Sequence, residues 1–226
     1  MHTFAVISIV LLAMGSGSIS FLASLTIIIM ISRSNLKLTT IYRRLICGMT
    51  VFDMIQSFSH ATNSFLMPKG IIWGAIGNDV SCSISGFLSN VGVIGSVFYS
   101  LSISVYFLCI IRFDMEETKI QKYVEPFLHG IPFIYSFGQG IFILTINYYN
   151  PTGPVCFIGP HNGDDDENEV KVLIETLKWI ASIGPLCAVF ASNCIILGVI
   201  WWTVYYQSRI MRQFYGRESV AHRQSS

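Results

Sequence analysis

Residues 80–111 read VSCSISGFLSNVGVIGSVFYSLSISVYFLCII, without a single charged side chain, and Arg112 follows them directly. A helix that crosses a bilayer needs about 20 consecutive, predominantly apolar residues. This stretch is longer than that, and it is continuous, whereas the strands of a membrane β-barrel are short and separated by turns. The stretch therefore predicts a transmembrane helix.

Similar apolar runs lie on either side of it, three without any charge and one with a single acid, Asp53. Only 12% of all residues are charged, about half the roughly 25% of soluble domains. We therefore predict an all-α, polytopic membrane helix bundle in contact with membrane lipid, and nothing indicates nucleic-acid binding. The five predicted spans lie at about residues 4–31, 45–67, 82–111, 127–147 and 172–206, and residues 207–226 form a cytoplasmic tail or the start of a third inner loop.

Eleven of the fourteen Lys and Arg residues fall in three short segments, each of which follows an apolar run. Positive residues near the ends of membrane helices are retained in the cytoplasm. We therefore predict an N-terminus outside the cell and a C-terminus inside. The segments contain Arg33, Lys37, Arg43 and Arg44; then Arg112, Lys119 and Lys122; then Arg209, Arg212, Arg217 and Arg223.

The first run has an alternative interpretation as a cleaved signal peptide, because small residues occupy positions 15–18. A signal peptide begins with a positive region and has an apolar region of about 7–15 residues. Only Met1, His2 and Thr3 precede this run, and the run continues to Ile31. A retained first span is favoured.

Two of the six cysteines, Cys82 and Cys156, are assigned to the outer side by this topology, where the environment permits disulfides. A bridge between them would join the top of the third span to the loop after the fourth. Two free thiols are the alternative. The acidic run at 164–167 in the same loop fits no calcium-binding motif, and we expect it to be a solvated loop.

The second span is polar on one side. Its polar residues fall at the spacing of one helical face: Asp53, Gln56, Ser57, His60, Asn63 and Ser64. An acid within the bilayer faces the bundle interior or a hydrated cavity. Asp53, Gln56, His60 and Asn63 are therefore candidates for a ligand or ion cavity. The alternative for Asp53 is a structural acceptor for hydroxyls of neighbouring helices.

The basic inner segments supply candidates for contact with a cytoplasmic partner. Arg112, at the inner end of the third span, is either a topology-setting charge or a switch element, and Arg43 and Arg44 are coupling candidates. The sequence has no phosphate-binding glycine loop, paired-histidine metal motif or nucleophile elbow. We therefore expect neither an enzyme nor a cofactor or metal.

Several motifs together resemble those of G-protein-coupled receptors, with the cyclic-AMP-receptor-like and secretin-like branch of microbial eukaryotes as the nearest group. The similar residues, spread from about 41 to 206, are Cys82, Gly86-Phe87, the segment 99–106 leading to Arg112-Phe113, the segment 51–57, the segment 120–129 with Glu125-Pro126 and His129, and Cys156 as the second member of a receptor-like disulfide pair.

The resemblance implies a seven-helix fold, an outward pocket for an unknown extracellular ligand, and a cytoplasmic face that activates a heterotrimeric G protein at the plasma membrane. Ile111 stands before Arg112 where rhodopsin-like receptors have an acid. Only five spans are predicted, so we expect a receptor sequence truncated before its sixth helix. The alternative function is a small oligomeric channel or transporter lined by the polar face of the second span.

Overall fold

The computed structural model describes residues 2–34, 38–72, 74–159 and 168–224, and the side chains of 7–34, 38–72, 74–159 and 171–212. Helices dominate these ranges. They are α1 (His2–Arg33), α2 (Ile41–Leu66), α3 (Asp79–Ile111), α4 (Glu117–Lys119), α5 (Glu125–Thr145), α6 (Asn168–Lys178) and α7 (Gly184–Gln224), with π-helical turns at Ile120–Val124 and Trp179–Ile183.

Four helical stretches are long and apolar enough to cross a membrane: Ile7–Arg33, Asp79–Ile111, Glu117–Thr145 and Lys171–Arg212. The predicted all-α membrane helix bundle is therefore confirmed. Helix α2 has 26 residues, which is long enough for a span. Because of its polar face it is less apolar than these four stretches, and it is not among them. Five crossings and the orientation of the chain remain predictions.

The outer surfaces of these helices carry large apolar side chains. Leu12 of α1, Ile134 of α5 and Phe190 of α7 are each more than 70% exposed. Exposed apolar faces of this extent are unusual for a soluble monomer, whereas lipid tails solvate them well. The faces therefore agree with a bundle surrounded by lipid.

Helix α3 is the centre of the bundle, because α2, α5, α7 and both strands pack against it. Small residues allow its closest contacts. A side chain at Gly92 would overlap the backbone of Gln56, and one at Gly95 would overlap the ring of Phe52. The third predicted span is therefore the one around which the others pack, with Gly92 as one of the contact residues.

Both π-helical turns come just before a proline. Pro126 has no N–H to donate to the carbonyl of Lys122, and its ring crowds that carbonyl, which favours a wider turn before it. The N–H of Glu125 instead bonds to the carbonyl of Ile120, and Gly184, before Pro185, bonds in the same way to Trp179. Helical structure begins at Glu117, within the connection between the spans predicted at 82–111 and 127–147, and α7 continues past the predicted end at residue 206.

The loop after α5 contains an antiparallel hairpin, β1 (Tyr149–Thr152) and β2 (Val155–Ile158), for which no strands were predicted. Gly153 forms its turn with a positive φ of 66°. Pro151 pairs with Cys156. The acidic run at 164–167, predicted as a solvated loop, lies outside the described residues.

The bundle has two distinguishable ends. The hairpin end carries β1, β2 and the α2–α3 connection, which is rich in glycine. The basic end carries the α1–α2 connection, Arg112 and the arginines that follow residue 206. The sequence prediction places the hairpin end outside the cell.

Candidate functional site

The polar face of α2 opens onto two cavities rather than one. Asp53, Gln56 and His60 line a cavity against α1. His60 and Asn63 line another, against α3, β2 and the start of α7. The four residues predicted to share a cavity are therefore divided, and His60 lies at the boundary of both.

The second of these, the hairpin cavity, has a volume of about 270 Å³. Its wall is largely apolar and includes Ile94, Phe157 and Leu186. A few polar side chains, among them His60 and Asn90, reach it. An apolar wall with a few convergent polar groups is the usual composition of a small-molecule site.

Asn90 organises the polar part of the hairpin cavity. This α3 residue is 1% exposed. Its amide nitrogen donates to Gln139 Oε1 at 3.0 Å and to the Tyr149 hydroxyl at 2.8 Å, and its carbonyl oxygen accepts from Ser182 Oγ at 3.1 Å. One buried amide thus connects α3 with α5, β1 and the π-helical turn before α7.

Burial changes the acidity of the hairpin residue in this network. Tyr149 is 1% exposed, and burial raises the pKa of its phenol from the ordinary 10.0 to about 12, although the hydrogen bond from Asn90 acts in the opposite direction. Removing the phenolate from water disfavours the charged form. Tyr149 is therefore a neutral component of the network near pH 7.

The hairpin is fixed to the bundle by a covalent and a polar contact. Cys82 and Cys156 form a disulfide, which confirms the predicted pairing and excludes the alternative of two free thiols. The N–H of Cys156 also donates to Asn63 Oδ1 at 2.8 Å. Asn63, predicted as a cavity residue, therefore holds β2 in place as well as lining the cavity.

The cavity between α1 and α2 has a different character. It has a volume of about 420 Å³, and small or polar residues of α1, including Ser16, Gly17 and Ser20, face the α2 side chains. Ser57 Oγ donates to Ser20 Oγ at 2.8 Å. Asp53 lines this polar cavity together with these hydroxyl groups, and whether it acts as a cavity residue or as a structural acceptor stays a prediction.

A charged network occupies the basic end. Arg44 donates through Nη2 to Glu125 Oε2 at 2.8 Å and through Nε to Oε1, and it also donates to the carbonyl of Leu38 at 2.9 Å. The hydrogen bond to Glu125 raises the pKa of Arg44 above its ordinary value. His129 lies 3.7 Å from the same carboxylate and 3.0 Å from the Tyr99 hydroxyl. The network joins α2, α5 and α3.

The three arginines predicted as coupling residues have different surroundings. Arg44 is 24% exposed and engaged with Glu125, so it acts within the bundle. Arg43 donates to Ser34 Oγ at 2.7 Å. Arg112 is exposed and lines a groove between α3 and α7. Of the three, Arg112 is the best placed to meet another molecule.

Sequence reasoning missed the residues that organise the hairpin cavity. Asn90, Gln139 and Ser182 lie within spans that were considered for their apolar character, and Tyr149 was assigned to a loop. An amide within an apolar run was the available signal, because a buried amide requires partners. Which partners it finds depends on the packing of helices that are distant in sequence.

Comparison with known proteins does not assign a family. No family model matches the chain, and no curated protein matches it. Within the part of the chain that the structure describes, no group of three or more His, Cys, Asp or Glu residues is arranged to hold a metal ion.

Proposed function

We propose that this chain is a receptor-like membrane protein of the plasma membrane, which transmits the binding of an extracellular ligand to a cytoplasmic heterotrimeric G protein. In this proposal α2 is a fifth span, the bundle is part of a seven-helix receptor fold, and the hairpin end faces outward. The packing of α2 between α1 and α3 supports its assignment as a span.

The hairpin cavity is the observation that carries the proposal. Residues of α2, α3 and α7 line it together with β2, and the disulfide holds β2 against α3. A ligand in this position contacts three helices at once. It therefore has different affinities for different arrangements of those helices, which is the physical requirement for a ligand to shift a conformational equilibrium.

The network at the basic end supplies an element that such a shift would disturb. Glu125 holds Arg44 of α2 and lies beside His129, whose ring contacts Tyr99 of α3. A movement of α3 relative to α5 would change these contacts. In the proposal, this change is what the G protein detects at the inner surface.

A cavity-filling substitution tests the ligand site. Small, mostly apolar molecules with one or two polar groups are screened for thermal stabilisation of the purified full chain. Val93→Phe places a larger side chain in the cavity wall, and we expect it to abolish stabilisation by the molecules found. Val97→Phe, one helical turn farther along α3 and outside the cavity wall, is the matched control.

Nucleotide exchange on purified G proteins tests the signalling part. We expect the stabilising molecules to accelerate exchange in nanodiscs containing the chain, and Val93→Phe to remove the acceleration. Equal thermal stabilisation of Val93→Phe and Val97→Phe by these molecules would place the ligand outside the hairpin cavity. Binding without exchange on any class of G protein would overturn the signalling proposal.

The cavity between α1 and α2 supports a second candidate, an oligomeric channel or transporter. Its wall combines Asp53 with hydroxyl and imidazole groups, and intramembrane acids of this kind accompany ion pathways. Voltage-clamp recording tests it. A current that Asp53→Asn abolishes and Thr62→Ala, on the same helix outside the cavity wall, leaves intact would favour this candidate over the receptor.

A further inference from the structure

A groove between α3 and α7 opens at the basic end. Arg112 stands at one end of it, and α7 supplies the remaining wall, including Ile195, Gly198, Trp202 and Tyr206. The groove has a volume of about 690 Å³. It lies at the opposite end of the bundle from the hairpin cavity, and its Arg112 is also a coupling candidate of the receptor proposal.

The wall changes character along the groove. Ile195 and Gly198, toward the middle of α7, are apolar, whereas Trp202, Thr203, Tyr206 and Gln207 carry hydrogen-bonding groups and lie farther along α7 toward the basic end, where Arg112 is. The α7 part extends over about 18 Å at a rise of roughly 1.5 Å per residue. One leaflet of hydrocarbon is about 15 Å thick, half of the roughly 30 Å core. The groove therefore has the length and polarity gradient of a single lipid chain with its headgroup.

The charge at the polar end is uncompensated. Arg112 forms no ion pair with any described residue, whereas Arg44, at the same end, has Glu125. A guanidinium donates to phosphate through a fixed pair of N–H groups. Aromatic residues beside it, such as Trp202 and Tyr206, favour the depth of lipid headgroups.

We propose that this groove binds an anionic phospholipid, with its phosphate on Arg112 and an acyl chain along Ile195 and Gly198. Basic pockets between membrane helices are suited to anionic headgroups. The inference requires that α3 and α7 cross the bilayer, but it does not depend on ligand binding or on coupling to a G protein.

Gly198 makes the acyl part of the groove testable. Apart from its own helical turn, no described atom lies within 4 Å of the Cβ that a residue other than glycine would add at Gly198. Gly198→Leu therefore directs a larger side chain into the groove without a clash at its Cβ. Gly138 of α5 has equally open space and does not line the groove, so Gly138→Leu is the matched control.

Quenching of tryptophan fluorescence by brominated lipid measures occupancy. The full chain is reconstituted in phosphatidylcholine nanodiscs that contain a minor fraction of brominated phosphatidylserine or, in parallel, brominated phosphatidylcholine. We expect about a fivefold preference for phosphatidylserine, since a basic residue near an anionic surface contributes roughly 1 kcal/mol. Trp202→Phe should remove the preferential quenching. Trp201→Phe should retain it, because Trp201 is as exposed but lies outside the groove.

Two arginine variants distinguish lipid binding in this groove from a general electrostatic attraction of anionic lipid to the basic end. Arg112→Gln should abolish the preference, while Arg209→Gln, which removes a charge at the same end outside the groove, should preserve it. Gly198→Leu should reduce quenching of Trp202 by both lipids. Monodisperse elution and an intact Cys82–Cys156 bridge show that each variant is folded.

Three results would overturn the proposal. The first is equal quenching by the two lipids in the unmodified chain. The second is a preference that survives Arg112→Gln. The third is weak quenching by both lipids together with efficient disulfide crosslinking of a Thr203→Cys variant between two copies, which would assign the groove to a second copy of the chain.

Discussion

At the hairpin end a disulfide and neutral hydrogen bonds join α3 to its neighbours, whereas at the basic end an ion pair joins α2 to α5. The central groups at the hairpin end are almost completely buried; Asn90 and Tyr149 are each 1% exposed, while Gln139 and Ser182 at the edge of the network are partly buried. The side chains of Arg44 and Glu125 keep 24% and 12% of their exposure.

This difference follows from the free energy of removing charge from water. A neutral amide is tolerated in an apolar interior once its hydrogen bonds are made. A buried ion pair must overcome the desolvation of both charges. The bundle therefore uses neutral groups where burial is complete and a charged pair where some solvent contact remains. The two ends should respond differently to mutation and to pH.

The largest expected effect is at the hairpin end. Cys82→Ser or Cys156→Ser removes a bridge that closes a sequence separation of 74 residues, and we expect a loss of about 2–5 kcal/mol in the free energy of unfolding. Surface expression and thermal denaturation measure it. Cys194→Ser, an exposed free thiol on α7, is the control and should behave as the unmodified chain. Unchanged expression and stability in both bridge variants would refute a structural role for the disulfide.

The next effect is at the basic end. Glu125→Gln leaves Arg44 partly buried without its counterion, and we expect a loss of about 1–3 kcal/mol in the free energy of unfolding. Glu116→Gln is the matched control, because Glu116 and Lys119 form a pair with side chains 70% and 63% exposed. It should change stability by less than about 0.5 kcal/mol. Equal effects of the two substitutions would show that burial does not strengthen the Arg44 pair.

The dependence of folding stability on alkaline pH should also distinguish the two ends. The pKa of Tyr149 is about 12 in the folded chain and has its ordinary value of 10.0 in the unfolded chain. Between these values the unfolded chain binds fewer protons, so this residue's contribution to stability is complete below pH 10 and is lost as the pH rises toward 12. Denaturation followed across this window measures the loss.

Tyr149→Phe is the control for that titration. It should lack the Tyr149 component of the alkaline loss, and its phenolate absorbance should lack the step near pH 12. It should also lose roughly 1 kcal/mol at neutral pH, because the hydrogen bond to Asn90 is removed. An identical titration in the variant would contradict the burial of the Tyr149 hydroxyl.

The smallest effect is expected at Arg112. It is exposed at the same end as Arg44 but has no described counterion. Arg112→Gln should therefore change the free energy of unfolding by less than about 0.5 kcal/mol, measured in detergent without anionic lipid. A loss as large as that of Glu125→Gln would mean that Arg112 supports the bundle itself.

Much of the fold was predictable, because the membrane imposes a rule on each helix separately. Residues 80–111 are apolar over a length that spans a bilayer, and α3 covers nearly the same residues. Prolines gave a weaker signal: the span predicted at about residues 127–147 begins beside Pro126, which lies in the first turn of α5, but the π-helical turn before it was not predicted. Pro126 lacks the N–H that an α-helical turn requires. Which hydrogen bonds form in its place depends on the neighbouring residues.

The candidate site was only partly predictable. The polar face of α2 was identified from its spacing, but the spacing alone did not show that α1 faces the part with Asp53 and β2 the part with Asn63. The hairpin itself lies in the loop after the fourth span, for which no strands were predicted. Its pairing is local, but its position depends on Cys82 and Asn63, which are distant in sequence.

The sequence by itself determined the apolar helices, the basic end and the two cysteines that form the bridge, because hydropathy, charge and thiol position are properties of each segment alone. Only the tertiary structure decided that Glu125 takes Arg44, that Asn90 gathers α3, α5 and β1, and that Arg112 is left facing a groove. These outcomes depend on which helices meet and at what depth. A polar group selects its partner from whatever the packing brings within hydrogen-bonding distance.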